Sequence, residues 1–173
     1  LATLLGDYEV APEYRARAKQ FNVEWDAEVD RIYNLEFGPL MSQGELVGAV
    51  NMASEARDVV VHAAGSVPGD AHKLWRARDP KAYHSEYGYS CMGYEIAGAL
   101  GVKIADPSRE VYVLVGDGSY LMMAQEIITS VQEGYKLTII LINNDGYRSI
   151  GALSRSIGDN GFGTRYTFRD DEG

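Results

Sequence analysis

Val111-Tyr112-Val113-Leu114-Val115-Gly116-Asp117-Gly118-Ser119, followed further on by Leu137-Thr138-Ile139-Ile140-Leu141-Ile142-Asn143-Asn144, is the stretch whose reading decides the fold. Residues 111–115 and 137–142 are near-continuous apolar runs, the pattern of parallel strands covered on both faces. Between them, Gly116–Ser119 reads as a turn and Tyr120–Glu133 as one helix with Met123, Ile127, Ile128 and Val131 on its apolar face, stopped by Gly134. Strand, helix and strand in this order make a βαβ crossover. The chain is therefore predicted to be α/β, a doubly wound, mostly parallel sheet with helices on both faces.

Upstream, Asp58–Ala63 reads as a short buried strand, and Gly65-Ser66-Val67-Pro68-Gly69-Asp70 as a turn at its carboxyl end, a place for a ligand loop. Arg76–Tyr89 is polar and rich in Tyr. Met92–Val102 is a helix of small apolar residues suited to close packing on a sheet. Nearer the start, Tyr14, Ala18, Phe21, Trp25, Val29 and Ile32 recur every three to four residues, predicting a helix over Ala11–Asn34 that packs one modest stripe on a neighbour. Gly38-Pro39 breaks the chain. Ser42-Gln43-Gly44-Glu45 has the form of a capping box opening a helix to about Ala56. These units divide the chain into a helical linker segment over 1–40 and a ligand-binding domain over 41–173.

Composition narrows the function classes. The 173 residues are 46% hydrophobic, enough for a core of ordinary domain size. A net charge of −9 argues against nucleic acid or an anionic membrane surface as partner. Cys91 is the single cysteine, so neither an internal disulfide nor a cysteine metal cluster can form, and a reducing, cytoplasmic setting is expected. No apolar run reaches the roughly 20 residues that span a bilayer, and Leu1–Asp7 turns acidic too early for a signal peptide. The chain opens without Met, and we expect a piece of a longer protein that starts between domains.

Open parallel sheets bind ligands outside the carboxyl ends of their strands, where this chain carries Asp117 and Asn143-Asn144. A carboxylate, an amide oxygen and a backbone carbonyl are hard oxygen donors that suit Mg2+. Gly118 lets the backbone approach an anion, and a helix starting near Ser119 adds free N–H groups. A dinucleotide fingerprint fails because position 121 is Leu rather than Gly, and no P-loop motif occurs. Taken bare, Gly116-Asp117-Gly118-Ser119 fits an ordinary strand-to-helix turn equally well.

The full pattern is more specific: Gly116-Asp117-Gly118, then 24 residues, then Asn143-Asn144 on a strand-helix-strand frame. It resembles the signature of thiamine diphosphate-dependent enzymes. That resemblance implies a Mg2+ site made by Asp117, Asn144 and the carbonyl of Gly146, with Gly116, Gly118, Ser119 and Tyr147 beside the cofactor. Tyr87-Gly88-Tyr89-Ser90-Cys91-Met92-Gly93 is similar to the segment that the acetohydroxyacid synthase-like branch places before its small-residue helix. By that similarity Met92 wedges the two rings of the cofactor apart and the Ser90 backbone accepts from its amino group, although Met92 read alone is also plain core filling. His72-Lys73-Leu74-Trp75 resembles the branch's segment over the diphosphate, making Ser66, Asp70, Ala71 and His72 candidate contacts; His72 alone fits a capping or surface role equally well. His62 is expected to be a satisfied core histidine and Cys91 a small buried side chain.

Over roughly the last 130 residues the resemblance narrows. Gly69–Trp75, Glu86–Gly98 and Phe162-Gly163-Thr164-Arg165-Tyr166 are similar to the trihydroxycyclohexanedione hydrolases of myo-inositol catabolism. This implies opening of a cyclic 1,2-diketone to 5-deoxyglucuronate, in a protein acting as a homodimer or homotetramer. An acetolactate synthase-like carboligase or decarboxylase and a non-catalytic module of the same fold stand as alternatives. The glutamate that activates the cofactor in such enzymes lies on a separate amino-terminal domain; Glu95, Glu126 and Glu133 are not credible substitutes. The chain as given is expected to be inactive alone. Five glycines after Asn144, at 146, 151, 158, 161 and 163, predict a loop that moves without ligand.

Overall fold

The computed structural model of the protein describes residues 2–6 and 8–166, so residues 167–173 of the expected 41–173 unit lie outside the described residues. In chain order the elements are α1 (Ala2–Leu5), α2 (Pro12–Tyr33), α3 (Gln43–Ala53), β1 (Val59–His62), α4 (Ser66–Leu74) and β2 (Tyr83–Ser85). There follow α5 (Tyr94–Ala105), β3 (Val111–Gly116), α6 (Asp117–Met122), α7 (Glu126–Gln132), β4 (Thr138–Ile142) and α8 (Arg148–Ser156). The strands lie in the order β2-β1-β3-β4, all parallel. Val61 stands opposite Val113, and Gly116 opposite Ile142.

Successive strand residues point to opposite faces. Val60, Leu114 and Ile142 pack with Val29 and Tyr33 of α2, Val47 of α3, and Val67 and Leu74 of α4. On the other face Val59, Val61, Val111, Val113 and Val115 meet Ile96 and Ala99 of α5, with Ile127 of α7 against them. Two helical layers on a parallel sheet are the doubly wound α/β class that the apolar runs predict. The second half of α2 is fastened to the sheet domain: Tyr33 donates its hydroxyl to the carbonyl of Leu74, and Trp25 Nε1 donates to that of Lys73 at 3.0 Å. The capping box forms as read, Glu45 N–H to Ser42 Oγ at 3.2 Å and Ser42 N–H to Glu45 Oε2 at 2.7 Å, but α3 ends at Ala53, three residues before the predicted end.

Several local expectations are corrected. The stretch from Gly65 to Asp70 is the start of α4: Gly65 is its N-cap at φ 86°, and Pro68 sits in the first turn, where its missing N–H breaks no helical bond. The Tyr-rich stretch contains β2, a three-residue edge strand too short for alternation to reveal. The helix predicted from Met92 begins at Tyr94, after a left-handed Gly93, and runs on to Ala105. The crossover helix starts three residues early, at Asp117, and breaks at Met123, whose φ of −148° is not helical. The break changes which side chains are covered: Ile127 is partly buried against the sheet, whereas Ile128 and Val131 are 72% and 76% exposed. Periodicity assumes one unbroken helix, and here the axis is interrupted. Within the Gly-rich segment after Asn144 the backbone forms α8.

His62 ends β1 in the core, but it is less satisfied than expected. Its Nδ1 lies 3.4 Å from Ser85 Oγ, and its Nε2 is buried with no partner among the described residues. Burial, and then the charges of His72 and His84, pull its pKa down to about 4. An unfolded histidine titrates near 6.5, so between about 6.5 and about 4 the unfolded chain binds the proton and the folded chain refuses it. The stabilisation is complete above 6.5 and lost as pH falls through this window, by up to about 3 kcal/mol. Urea unfolding of the protein and of His62→Gln at pH 7.5 and 4.5 tests this. The unsubstituted protein should lose roughly 2–3 kcal/mol more than the variant between the two values; equal losses would remove His62 as the cause.

Candidate functional site

All four strands point their carboxyl ends the same way, and the turns that follow all four meet around one cavity. It holds about 300 Å3, at the small end for a ligand pocket, beside the β1–β3 boundary where the strand order reverses. Ser66 reaches it from the head of α4, Ser90 and Met92 from the turn before α5, and residues 116–119 from the end of β3. Asn144, Gly146 and Tyr147 come from the end of β4. The remaining three candidates are not brought there. Asp70 accepts a hydrogen bond from Gln43 Nε2, Ala71 is buried in the core, and His72 is exposed with Nδ1 2.9 Å from the Tyr83 hydroxyl. Their segment is helical, so its side chains turn away every residue instead of lining one wall.

Asp117 is buried at the mouth of the crossover. Gly118 N–H donates to its Oδ1 and Gly146 N–H to its Oδ2, each at 2.9 Å, so one carboxylate ties the end of β3 to the turn after β4. Gly146 reaches it at φ 135°, a conformation a side chain would resist, with its own Cα face against the Thr164 carbonyl. The Gly146–Arg165 bridge and the N–H groups of Tyr147 and Tyr166, bonded to Thr164 and Asp145 carbonyls, strap this turn down. At Gly118 a Cβ would come within 2.8 Å of the Tyr147 ring, which explains the absence of a side chain.

Near Asp117, two buried polar atoms, Asn144 Oδ1 and the Tyr166 hydroxyl, have no hydrogen-bond partner among the described residues. Burial, with the Asp117 charge as a further cause, raises the Tyr166 pKa. Orphaned buried acceptors are rare because each costs about 1–3 kcal/mol. Here an anionic Asp117 and the unpaired amide oxygen form an oxygen-rich wall that suits a hard cation. Among the described residues no three His, Cys, Asp or Glu side chains gather as a metal site, so a cation here would rely on this mixed set.

The opposite wall is shaped by two glutamates that sequence reading passed over as site residues. Glu86 folds the Tyr89–Cys91 turn by accepting from Cys91 N–H at 2.7 Å and Tyr89 N–H at 3.1 Å, bonds that lower its pKa. That turn carries Ser90 at φ 52°, a strained value for a non-glycine residue, and leaves Cys91 exposed rather than buried as expected. Glu95, fully buried, accepts from Ala64, Gly93 and Ser119. An acid heading an otherwise small and apolar helix was the available signal. The α8 residues Arg148, Ser149, Ile150 and Leu153, which no motif marked, complete the rim.

Comparison with known proteins bears on this arrangement. The family model described as thiamine pyrophosphate enzyme, C-terminal TPP binding domain, matches residues 63–171. Among curated relatives, 3D-(3,5/4)-trihydroxycyclohexane-1,2-dione hydrolase 1 of Bacillus cereus is 37% identical over 99% of this chain and 31% of its own length. Hydrolase 2 of the same organism is 40% identical over 91% of this chain and 28% of its own. The hydrolase of Bacillus thuringiensis is 40% identical over 86% and 27%. The chain thus spans about three tenths of the length of these relatives. The β3–crossover–β4 frame with Asp117 and Asn144 lies inside the matched region, and the chain belongs to the thiamine pyrophosphate enzyme family as a C-terminal TPP-binding domain.

Proposed function

We propose that this chain holds thiamine diphosphate through Mg2+, with the Asp117 carboxylate, the Asn144 amide oxygen and the Gly146 carbonyl as its protein ligands. The observation that carries the reading is the buried Asn144 Oδ1, without a partner among the described residues, in the cavity also lined by an Asp117 fixed by two backbone N–H groups. Gly118 and Ser119 border the same cavity at the head of a short helix, where main-chain N–H groups favour an anion. Met92 and the Ser90 backbone stand across the cavity, where they would meet the rings. When bound, the thiazolium supplies an electron sink for breaking a carbon–carbon bond beside a carbonyl.

We infer further that the whole protein is a thiamine diphosphate-dependent hydrolase acting on a cyclic 1,2-diketone, of the kind that myo-inositol catabolism produces. Water and the diketone give one carboxylic acid and one aldehyde, as 5-deoxyglucuronate contains. The similarity to three hydrolases of that name supports this, and an acetolactate synthase-like carboligase is the second reading. The glutamate that activates the cofactor is assigned to a domain outside this chain, since Glu95 is enclosed by its donors and Glu86 by its own turn. Assembly as a homodimer or homotetramer, and a cytoplasmic location, complete the proposal. Turnover of the cyclic diketone, against turnover of pyruvate, by the full-length protein separates hydrolase from carboligase.

Two substitutions test the cofactor site. Asp117→Ala should abolish Mg2+-dependent binding of thiamine diphosphate in titration calorimetry, a weakening of about 30-fold or more for loss of a charged ligand; unchanged affinity would rule out the site. For Asn144→Ala, binding and stability should move in opposite directions. Removing an orphaned acceptor should leave the ligand-free protein as stable or up to about 1 kcal/mol more stable, while Mg2+-dependent affinity falls. A matched loss of stability and affinity would instead make Asn144 a plain structural residue.

A further inference from the structure

Glu95 is 0% exposed, in the first turn of α5. A carboxylate out of water is costly unless hydrogen-bond donors replace its hydration. Its donors come from three separate segments: Ala64 N–H at 3.1 Å, Gly93 N–H at 3.0 Å, and the Ser119 hydroxyl at 2.8 and 2.9 Å from the two oxygens. Ser119 Oγ itself accepts from Gly93 N–H at 2.7 Å, which leaves its one proton for Glu95. Its hydrogen-bond partners among the described residues are thus two backbone N–H groups and one hydroxyl, and both of its oxygens are engaged.

Each donor stands next to a wall of the cavity. Ala64 leads into Gly65 and Ser66, Gly93 follows Ser90 and Met92, and Ser119 follows Asp117 and Gly118. The β1–β3 ladder pairs residues only as far as Val61 and Val113, short of both turns. Gly93 belongs to no strand; it precedes α5 at φ 93°, against the side chain of Met123. Side-chain hydrogen bonds to Glu95 and Ser119 therefore fix the Met92 turn relative to the Asp117 turn.

We propose that Glu95 is a positioning residue that joins the Ser90–Gly93 turn to the Asp117–Ser119 turn, setting the spacing between the ring end and the diphosphate end of the cavity. This rests on the cofactor reading above. A ligand that touches both ends feels the spacing, whereas one that touches only the diphosphate end does not.

The test uses the full-length protein, Glu95→Gln, and two ligands measured by titration calorimetry with Mg2+: thiamine diphosphate and inorganic pyrophosphate. The glutamine keeps the shape but, whichever way its amide is turned, sets an NH2 against one of the two backbone N–H donors. Thiamine diphosphate should bind about 10-fold more weakly, the effect of losing one charged hydrogen bond, with pyrophosphate affinity changed less than about threefold. Glu95→Asp keeps the charge but shortens its reach to the two N–H donors and the hydroxyl; it should show the same selective loss. Equal weakening of both ligands, or of neither, in the folded variants overturns the assignment while leaving the cofactor reading intact. Failure of the unsubstituted protein to bind either ligand overturns the cofactor reading and this assignment with it.

Discussion

The parallel register of β3 and β4, with Gly116 opposite Ile142, is the constraint on which the site depends. A parallel pair needs a crossover, and the crossover here sets out from the same end of the sheet at which β4 later arrives. Asp117 and Asn144, 27 positions apart in the sequence, are thereby delivered to one edge. The Asp117 carboxylate then draws in the N–H groups of Gly118 and Gly146, so the acid that would face a cation also fixes the backbone around it. The sheet can hold this only because valines and isoleucines bury both of its faces under helices.

On that frame the cavity has two walls of different character. The wall after β3 and β4 is rich in oxygen and contains Asn144 Oδ1, which has no partner among the described residues. The wall before α5 is a tight turn folded by Glu86 and held to the first wall through Glu95 and Ser119. That acceptor on one side and fully employed carboxylates on the other divide the labour: the first wall has capacity left for a ligand, the second has spent its capacity on geometry. This agrees with a TPP-binding domain that binds and orients its cofactor.

Much of this is legible in the residues. The apolar run 111–115 is a strand covered on both faces, as read, whereas 137–142 forms the edge strand β4 with Leu141 46% exposed, and Ser42 with Glu45 announces its helix through a local bond that needs no tertiary partner. Other features are invisible for physical reasons. The break at Met123 interrupts a helix whose residues all have good helical periodicity, and it exposes Ile128 and Val131. The edge strand β2 has three residues, fewer than alternation needs. The Cys91 exposure follows from a turn that Glu86 folds from five residues away.

The sequence by itself determined the βαβ unit, the family and the place of Asp117 and Asn144 at the carboxyl ends of its two strands, because hydrophobic period and motif spacing are local properties of the chain. Only the tertiary structure decided which candidates share the cavity, setting Ser66, Ser90 and Met92 around it and turning Asp70, Ala71 and His72 away on the flank of α4. It alone revealed Glu95 as the link between the walls. Such a role depends on three donors that meet in space from positions 64, 93 and 119, and no spacing along the chain encodes that meeting.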